Sequence, residues 1–256
     1  MFNVELGQEY KVAVNSGSKG TQIKYKKANF WYKEDNAGNE GMVEFLVSLV
    51  LKYSSLNQNG YVVYEFGKIN GKCGCRSSDF TDNGKYTFST LQRLYDNITG
   101  KDLYKKIISL DTPEQRRDYV LDFFAKYYQY DLTGYFDKIF TLDMITLNED
   151  RHFNNLGILI DDTGTVSDAP IFDNGRSLLN GNYSVRPAFS VSENVKRVAA
   201  RPFSGSPERQ YGLFSHAFTI DYVGLYAELK QVPDSYQKKV LEYQLERYRG
   251  LFDMQG

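Results

Sequence analysis

The reading turns on residues 146–157, TLNEDRHFNNLG, taken together with residues 170–177, PIFDNGRS. They carry Asp150, Asn155 and Asp173. Between them Leu156–Ile160 reads as a short buried strand, Asp161–Gly164 as a turn and Ala169–Phe172 as a returning strand, which makes a β-hairpin. The two open ends of a hairpin lie side by side, so Asn155 and Asp173 are expected to be neighbours, with Asp150 close to both. Asp and Asn also serve as plain turn residues, and any one of the three reads that way by itself. Three of them at the open end of one hairpin point instead to a shared task. An Asp and an Asn offer hard oxygen ligands to Mg²⁺, which takes one or two protein groups and fills its shell with water and phosphate. A second Asp beside them can accept the proton of an attacking hydroxyl. Phosphoryl transfer needs those parts.

A chain built around such a hairpin has to hold a nucleotide elsewhere. Residues 15–21, NSGSKGT, form a Gly/Ser turn in which Gly17, Ser18, Lys19 and Gly20 let backbone N–H groups approach phosphates. The turn lacks the G-x-x-x-x-G-K-[ST] spacing of a P-loop, and an ordinary hairpin turn is the competing reading. Around it the chain is β-rich, with strand patterns at Glu9–Val14, Gln22–Lys26, Ala28–Lys33 and Tyr61–Phe66. One helix interrupts them at Glu40–Tyr53, where Val43, Leu46, Val47, Val50 and Leu51 fall on a single stripe. Lys33 ends the strand before this helix and Glu44 lies in its first turns. Alone they read as an edge-strand lysine and a surface glutamate. In the order Gly-turn, strand Lys, helix Glu, D-x₄-N, Asp, they match the covering loop, phosphate lysine, orienting glutamate and catalytic and metal loops of a kinase.

After Gly84 the pattern becomes helical. Thr112-Pro113-Glu114-Gln115 combines a cap, a proline at the first helical position and a capping-box Gln. Leu132–Ile145 reads as a second apolar helix, and Pro233-Asp234 as the start of a helix through Val240, Leu241 and Leu245. Two lobes are expected, residues 1–80 and 81–256, joined near 76–84. The formal net charge of −1 gives no global field for nucleic acid or an anionic membrane. No apolar run approaches the ~20 residues that span a bilayer, and residues 1–12 lack a signal core. Cys73 and Cys75 are a lone C-x-C with no second pair to complete a zinc site, so they read as reduced thiols of a cytoplasmic protein. Lys196, Arg197, Arg201 and Arg209 form a basic segment suited to an acidic or phosphorylated protein substrate, or to a solvated loop.

With these residues in place, residues 148–157 and 170–175 resemble the catalytic and metal-binding loops of HipA-like serine/threonine kinases, the bacterial toxin-kinase group that includes CtkA-like proteins. The D-R-H-x-x-N core is shared with phosphoinositide 3- and 4-kinases. The resemblance implies an α+β, bilobal protein-kinase-like fold with a β-rich N-lobe carrying one helix and a mainly helical C-lobe. It implies ATP and Mg²⁺ as cofactors, Asp150 as catalytic Asp, Asn155 and Asp173 as metal ligands, Lys33 on the ATP phosphates and Glu44 orienting Lys33. ATP is expected in the cleft with adenine near Arg76–Phe80. His152 is expected to be structural and Arg151 to brace the loop. Implied partners are a protein substrate bearing Ser or Thr and a regulatory partner such as an antitoxin. HipA proteins carry a further N-terminal subdomain, and this chain begins almost at the nucleotide lobe, so the antitoxin contact stays open. In D173-N-G no Phe follows the Asp, so no Phe-driven switch is expected. Ser16 and Ser18 are candidates for autophosphorylation in the Gly/Ser turn. A lipid kinase, a small-molecule phosphotransferase and a nucleotide-binding pseudokinase are the alternative readings.

Overall fold

Alternating burial along short strands and one fully apolar helix stripe build the N-terminal part. In the computed structural model, which describes residues 1–12, 22–36 and 38–253, a five-stranded sheet runs in the order β1 (Phe2–Val4), β4 (Tyr64–Ile69), β5 (Lys72–Ser78), β3 (Phe30–Glu34), β2 (Lys24–Lys27). β1 lies parallel to β4, and the remaining pairs are antiparallel. Helix α1 (Glu40–Lys52) packs on β4 and β5. The stripe expected from its spacing (Val43, Leu46, Val47, Val50 and Leu51) is fully buried. The Ser48 hydroxyl accepts a hydrogen bond from Tyr64 N at 2.9 Å and so ties the helix to β4.

Several boundaries differ from the sequence expectation. β3 begins at Phe30, because Ala28–Asn29 is the turn between β2 and β3, with Ala28 at φ 50°. Of the strand expected over Glu9–Val14, residues 13–14 lie outside the described residues; Gln8–Tyr10 is a 3₁₀ turn and Lys11 bridges to Tyr25. The apolar run at Tyr61 enters its strand only at Tyr64, since Tyr61 and Val62 are engaged by Ile171. β5 was not foreseen, although Asn70-Gly71, both at positive φ (51° and 80°), forms the two-residue hairpin turn that announces it.

The C-terminal part is helical around one buried element, α5 (Thr133–Thr146). Phe136 and Phe140 of α5 meet Phe203 and Phe214, with Phe140 and Phe214 stacked at 4.7 Å between centroids. α2 (Leu91–Thr99), α3 (Leu103–Ile108) and α4 (Pro113–Tyr128) precede it. The Thr112 capping box of α4 forms as its sequence requires. Short helices α6 (Val191–Asn194) and α7 (Pro207–Tyr211) lead to α8 (Tyr222–Leu229), α9 (Tyr236–Arg247) and α10 (Arg249–Phe252). α9 starts two residues later than Pro233-Asp234 suggests, because Ser235 accepts the Lys238 N–H and caps it.

A second, three-stranded sheet, β6 (Thr87–Thr90), β7 (Gly157–Ile160) and β8 (Val166–Asp168), carries the loops quoted at the outset. The returning strand is Val166–Asp168 rather than Ala169–Phe172. Beyond it Ile171 leaves the hairpin and joins Tyr61, with Val62 N donating to Ile171 O at 2.9 Å. The segment before Asp173 is thereby pinned to the N-terminal part. Among the described residues no helix is long and apolar enough to cross a membrane, and both cysteines are free thiols.

Candidate active site

Asp173 is where the two parts of the chain meet. Its backbone adopts φ 59°, a left-handed conformation that Asp tolerates better than most residues. Its carboxylate receives the Lys33 ammonium at 3.0 Å. Lys33, on β3, also donates to Glu44 Oε1 at 3.1 Å and to the Tyr64 hydroxyl at 3.4 Å. Glu44, buried on α1, accepts the Asn174 N–H through its other oxygen at 2.9 Å. Strand, helix and the Asp173 loop thus share one polar knot, as the sequence reading expected for Lys33 and Glu44. Desolvation pushes the Asp173 carboxyl up, but Lys33 and then Lys24 outweigh it and hold the group at about 2. Burial opposes the charge on Lys33, yet Asp173, Tyr64 and Glu44 keep the ammonium well above its ordinary value.

Arg151 supports the other side. Its side chain is fully buried and bonds Asp143 of α5 through two nitrogens at 2.9 and 2.8 Å. It also donates to Phe172 O at 3.0 Å and to Asn174 Oδ1 at 2.7 Å. One guanidinium therefore ties α5, the Asp150 loop and the Asp173 loop together, using the fork of donors that distinguishes Arg from Lys. The bracing expected of Arg151 is met, through a partner, Asp143, that sequence reasoning did not single out.

Asp150, Asn155 and Asp173 all line one cleft of about 1350 Å³, which also receives Lys24, Phe88, His152 and Phe172. The Asp150 side chain is 45% exposed, and Arg201 lies 4.0 Å away. Asn148 Oδ1 accepts the Asp150 N–H at 2.9 Å and fixes the turn. Asn155 donates its amide nitrogen to Asp150 O at 3.3 Å, which leaves the amide oxygen as its remaining group. His152 departs from the expectation of a packed, satisfied side chain: its Nδ1 is buried with no hydrogen-bond partner among the described residues.

These groups fit a divalent cation with a polyphosphate. Asp173 offers a carboxylate 35% exposed to the cleft, and Asn155 offers a neutral oxygen. A hard cation that keeps waters and phosphates in its shell needs little more from the protein. Asp173 and Asn155 would hold Mg²⁺.

The expected adenine seat, Arg76–Phe80, divides. Arg76 points to the far side, pairing with Glu65 at 2.8 Å and lying over the Phe2 and Phe30 rings. Phe80 instead joins Phe88 and Phe172 in a trio with centroid separations of 5.4, 5.3 and 5.3 Å. Gly17, Ser18, Lys19 and Gly20, together with Ser16, lie outside the described residues. The basic segment disperses: Arg197 sits over Phe189, Arg209 lies 3.9 Å from Glu114, and Arg201 reaches toward Asp150.

Two positioning residues escaped the sequence reading. Asn180 accepts the Asn39 N–H at 3.0 Å and donates to Gly175 O at 2.7 Å, joining the start of α1 to the Asp173 loop. Tyr64 contributes its hydroxyl to Lys33 and to Asp173 N. Neither carries a motif. Tyr64 looked like an ordinary aromatic strand residue, and Asn180 an ordinary loop amide.

The architecture is that of a protein-kinase-like fold: a curled sheet with one helix, a helical part and a cleft lined by the Asp150 and Asp173 loops. The structure of CtkA, a proinflammatory kinase of Helicobacter pylori, superposes with a TM-score of 0.59 at 18% identity over 90% of each chain. HipA from Shewanella oneidensis MR-1, in the complex of that toxin–antitoxin system with HipB and operator DNA, gives a TM-score of 0.42 at 9% identity, over 96% of this chain and 67% of that one. At that score the HipA match adds nothing to the fold assignment. No protein-family model and no curated protein sequence matches the chain.

Proposed function

We propose that the chain is an ATP-dependent serine/threonine protein kinase of HipA-like type, with residues 1–80 as nucleotide-binding lobe and 81–256 as the lobe carrying the catalytic and metal loops. The observation that carries this is the Lys33–Glu44–Asp173 knot, whose Asp173 lines one cleft with the half-exposed Asp150. A buried lysine held by two carboxylates is costly as a stability device, and phosphate positioning accounts for it.

In this reading Lys33, oriented by Glu44, binds phosphate oxygens. Mg²⁺ held by Asn155 and Asp173 would offset the phosphate charge. Asp150 accepts the proton of a Ser or Thr hydroxyl as that oxygen bonds the γ-phosphorus. The bond from phosphorus to the β,γ-bridging oxygen breaks, and its electron pair leaves on ADP. Arg151 transmits no proton; it holds the two loops in register. The fold likeness to a known kinase supports the reading at the level of architecture. Ser16 and Ser18 are proposed acceptors within the chain itself.

The test is incubation with γ-labelled ATP and Mg²⁺ alongside a generic Ser/Thr-containing protein and, separately, phosphoinositide vesicles. Label on protein hydroxyls and none on lipid is expected. Label only on lipid replaces the protein-kinase reading with the lipid-kinase one, and nucleotide binding without any transfer replaces it with a pseudokinase.

A further inference from the structure

Lys24 of β2 stands directly opposite Lys33 of β3 in the antiparallel register, so both side chains leave the same face of the sheet. Directly opposed residues have Cβ atoms ~5 Å apart, and like charges so placed disfavour strand pairing. A hairpin selected for stability alone would avoid this pair. Lys24 lines the same cleft as Asp150, Asn155 and Asp173. Lys33 itself is engaged by two carboxylates, Glu44 and Asp173. Lys33 by itself therefore leaves the knot with an excess of negative charge, which would repel a polyphosphate. With Lys24 the four charges balance, and a divalent cation at Asp173 tips the wall positive.

Building on the kinase reading, we propose that Lys24 is a second polyphosphate-binding residue, acting with Lys33 as a cross-strand ammonium pair that grips the nucleotide's phosphates. Burial, and after it the field of Lys33, lower the ammonium of Lys24 from its ordinary value, while Asp173 and Glu44 oppose the shift. A polyphosphate between them relieves that repulsion. The grip is specific to the anion: a nucleoside without phosphates gains nothing from it.

The experiment compares wild type, Lys24→Met and Lys24→Arg in calorimetric binding of Mg·ATP and of adenosine. A hydrogen bond between charged groups contributes ~1.5–3 kcal/mol, or roughly 10- to 100-fold in affinity. Lys24→Met is expected to weaken Mg·ATP by about that factor while adenosine binding stays within about twofold. Lys24→Arg is expected to keep most of the Mg·ATP affinity. Because adenosine binding reports on the fold of the cleft, an equal loss of both ligands would assign Lys24 a structural role and overturn the proposal. Unchanged Mg·ATP affinity in Lys24→Met would also overturn it. Wild-type protein that binds no Mg·ATP would overturn the kinase reading and this inference with it, an outcome distinct from the other two.

Discussion

Arg151 shows how much one side chain can organise. With all of its surface buried and four bonds to Asp143, Phe172 and Asn174, it is the joint of both site loops. Replacing it leaves the Asp143 carboxylate buried without a counter-charge. Removing one partner of such a pair costs ~3–5 kcal/mol, so Arg151→Met should lower the denaturation midpoint by that equivalent and abolish transfer. Arg151→Lys restores charge but not the fork, and should recover only part of the stability. Chemical denaturation of the two variants measures both. Asp35 gives a prediction of opposite electrostatic character. Burial lifts its carboxyl to about 6 from 3.8; the 2.6 Å bond from the Gly41 N–H opposes this, and Glu40 adds to it. Between those values the folded chain holds a proton that the unfolded chain has released, so stability falls as pH rises through that window. Asp35→Asn keeps an acceptor for Gly41 and should flatten this part of the profile, as read by thermal melts from pH 4 to 7. At this scale the sequence singled out Asp150, Asn155 and Asp173 by the spacing of a known loop pair, and all three line one cleft. Lys24 was legible only in retrospect: counting outward from an Ala28–Asn29 turn sets it opposite Lys33, but the aromatic run from Ala28 concealed the turn.

At the scale of elements, the site depends on how closely α1 approaches β5. A methyl at Gly41 would stand 2.4 Å from the Gly74 carbonyl carbon and 2.6 Å from its oxygen. Those are backbone atoms and cannot swing aside, so Gly41→Ala must push α1 outward. Overpacking of this sort costs ~1–3 kcal/mol. Glu44 lies one turn further along the same helix, and a displacement of ~1 Å in a positioning group can cost ~100-fold in rate. Gly41→Ala should therefore lose far more activity than stability, measured as transfer rate beside melting temperature. The helix was readable from its apolar stripe, every member of which is buried. The small residues that permit its close approach were not, since Gly41 and Gly74 look like helix and strand weaknesses until their contact is known. The hairpin carrying the motifs was read correctly in kind and misplaced in its second strand, because Ile171 pairs with Tyr61 and sequence patterns do not encode such long-range docking.

For the whole molecule, the order β-rich part then helical part was visible in the change of pattern after Gly84, and the kinase-like architecture followed. What the pattern concealed was the degree of locking. Glu44 to Asn174, Asn39 to Asn180 and Val62 to Ile171 fasten the N-terminal part onto the loops of the C-terminal part. The knot at Lys33 joins β3, α1 and the Asp173 loop, and in the proposed reading it positions the reacting groups through the fold itself. The proposed function separates binding from chemistry: in it the phosphates are held by Lys33 and Lys24 and the proton is taken by Asp150. The measurement that bears most directly on that division is the rate of γ-phosphate transfer to a Ser/Thr protein by Asp150→Ala and wild type, with Mg·ATP affinity determined on the same samples. General-base catalysis contributes ~10²–10⁴-fold, so the rate should fall by about that factor while nucleotide affinity stays within about threefold. Full transfer by Asp150→Ala would contradict the account.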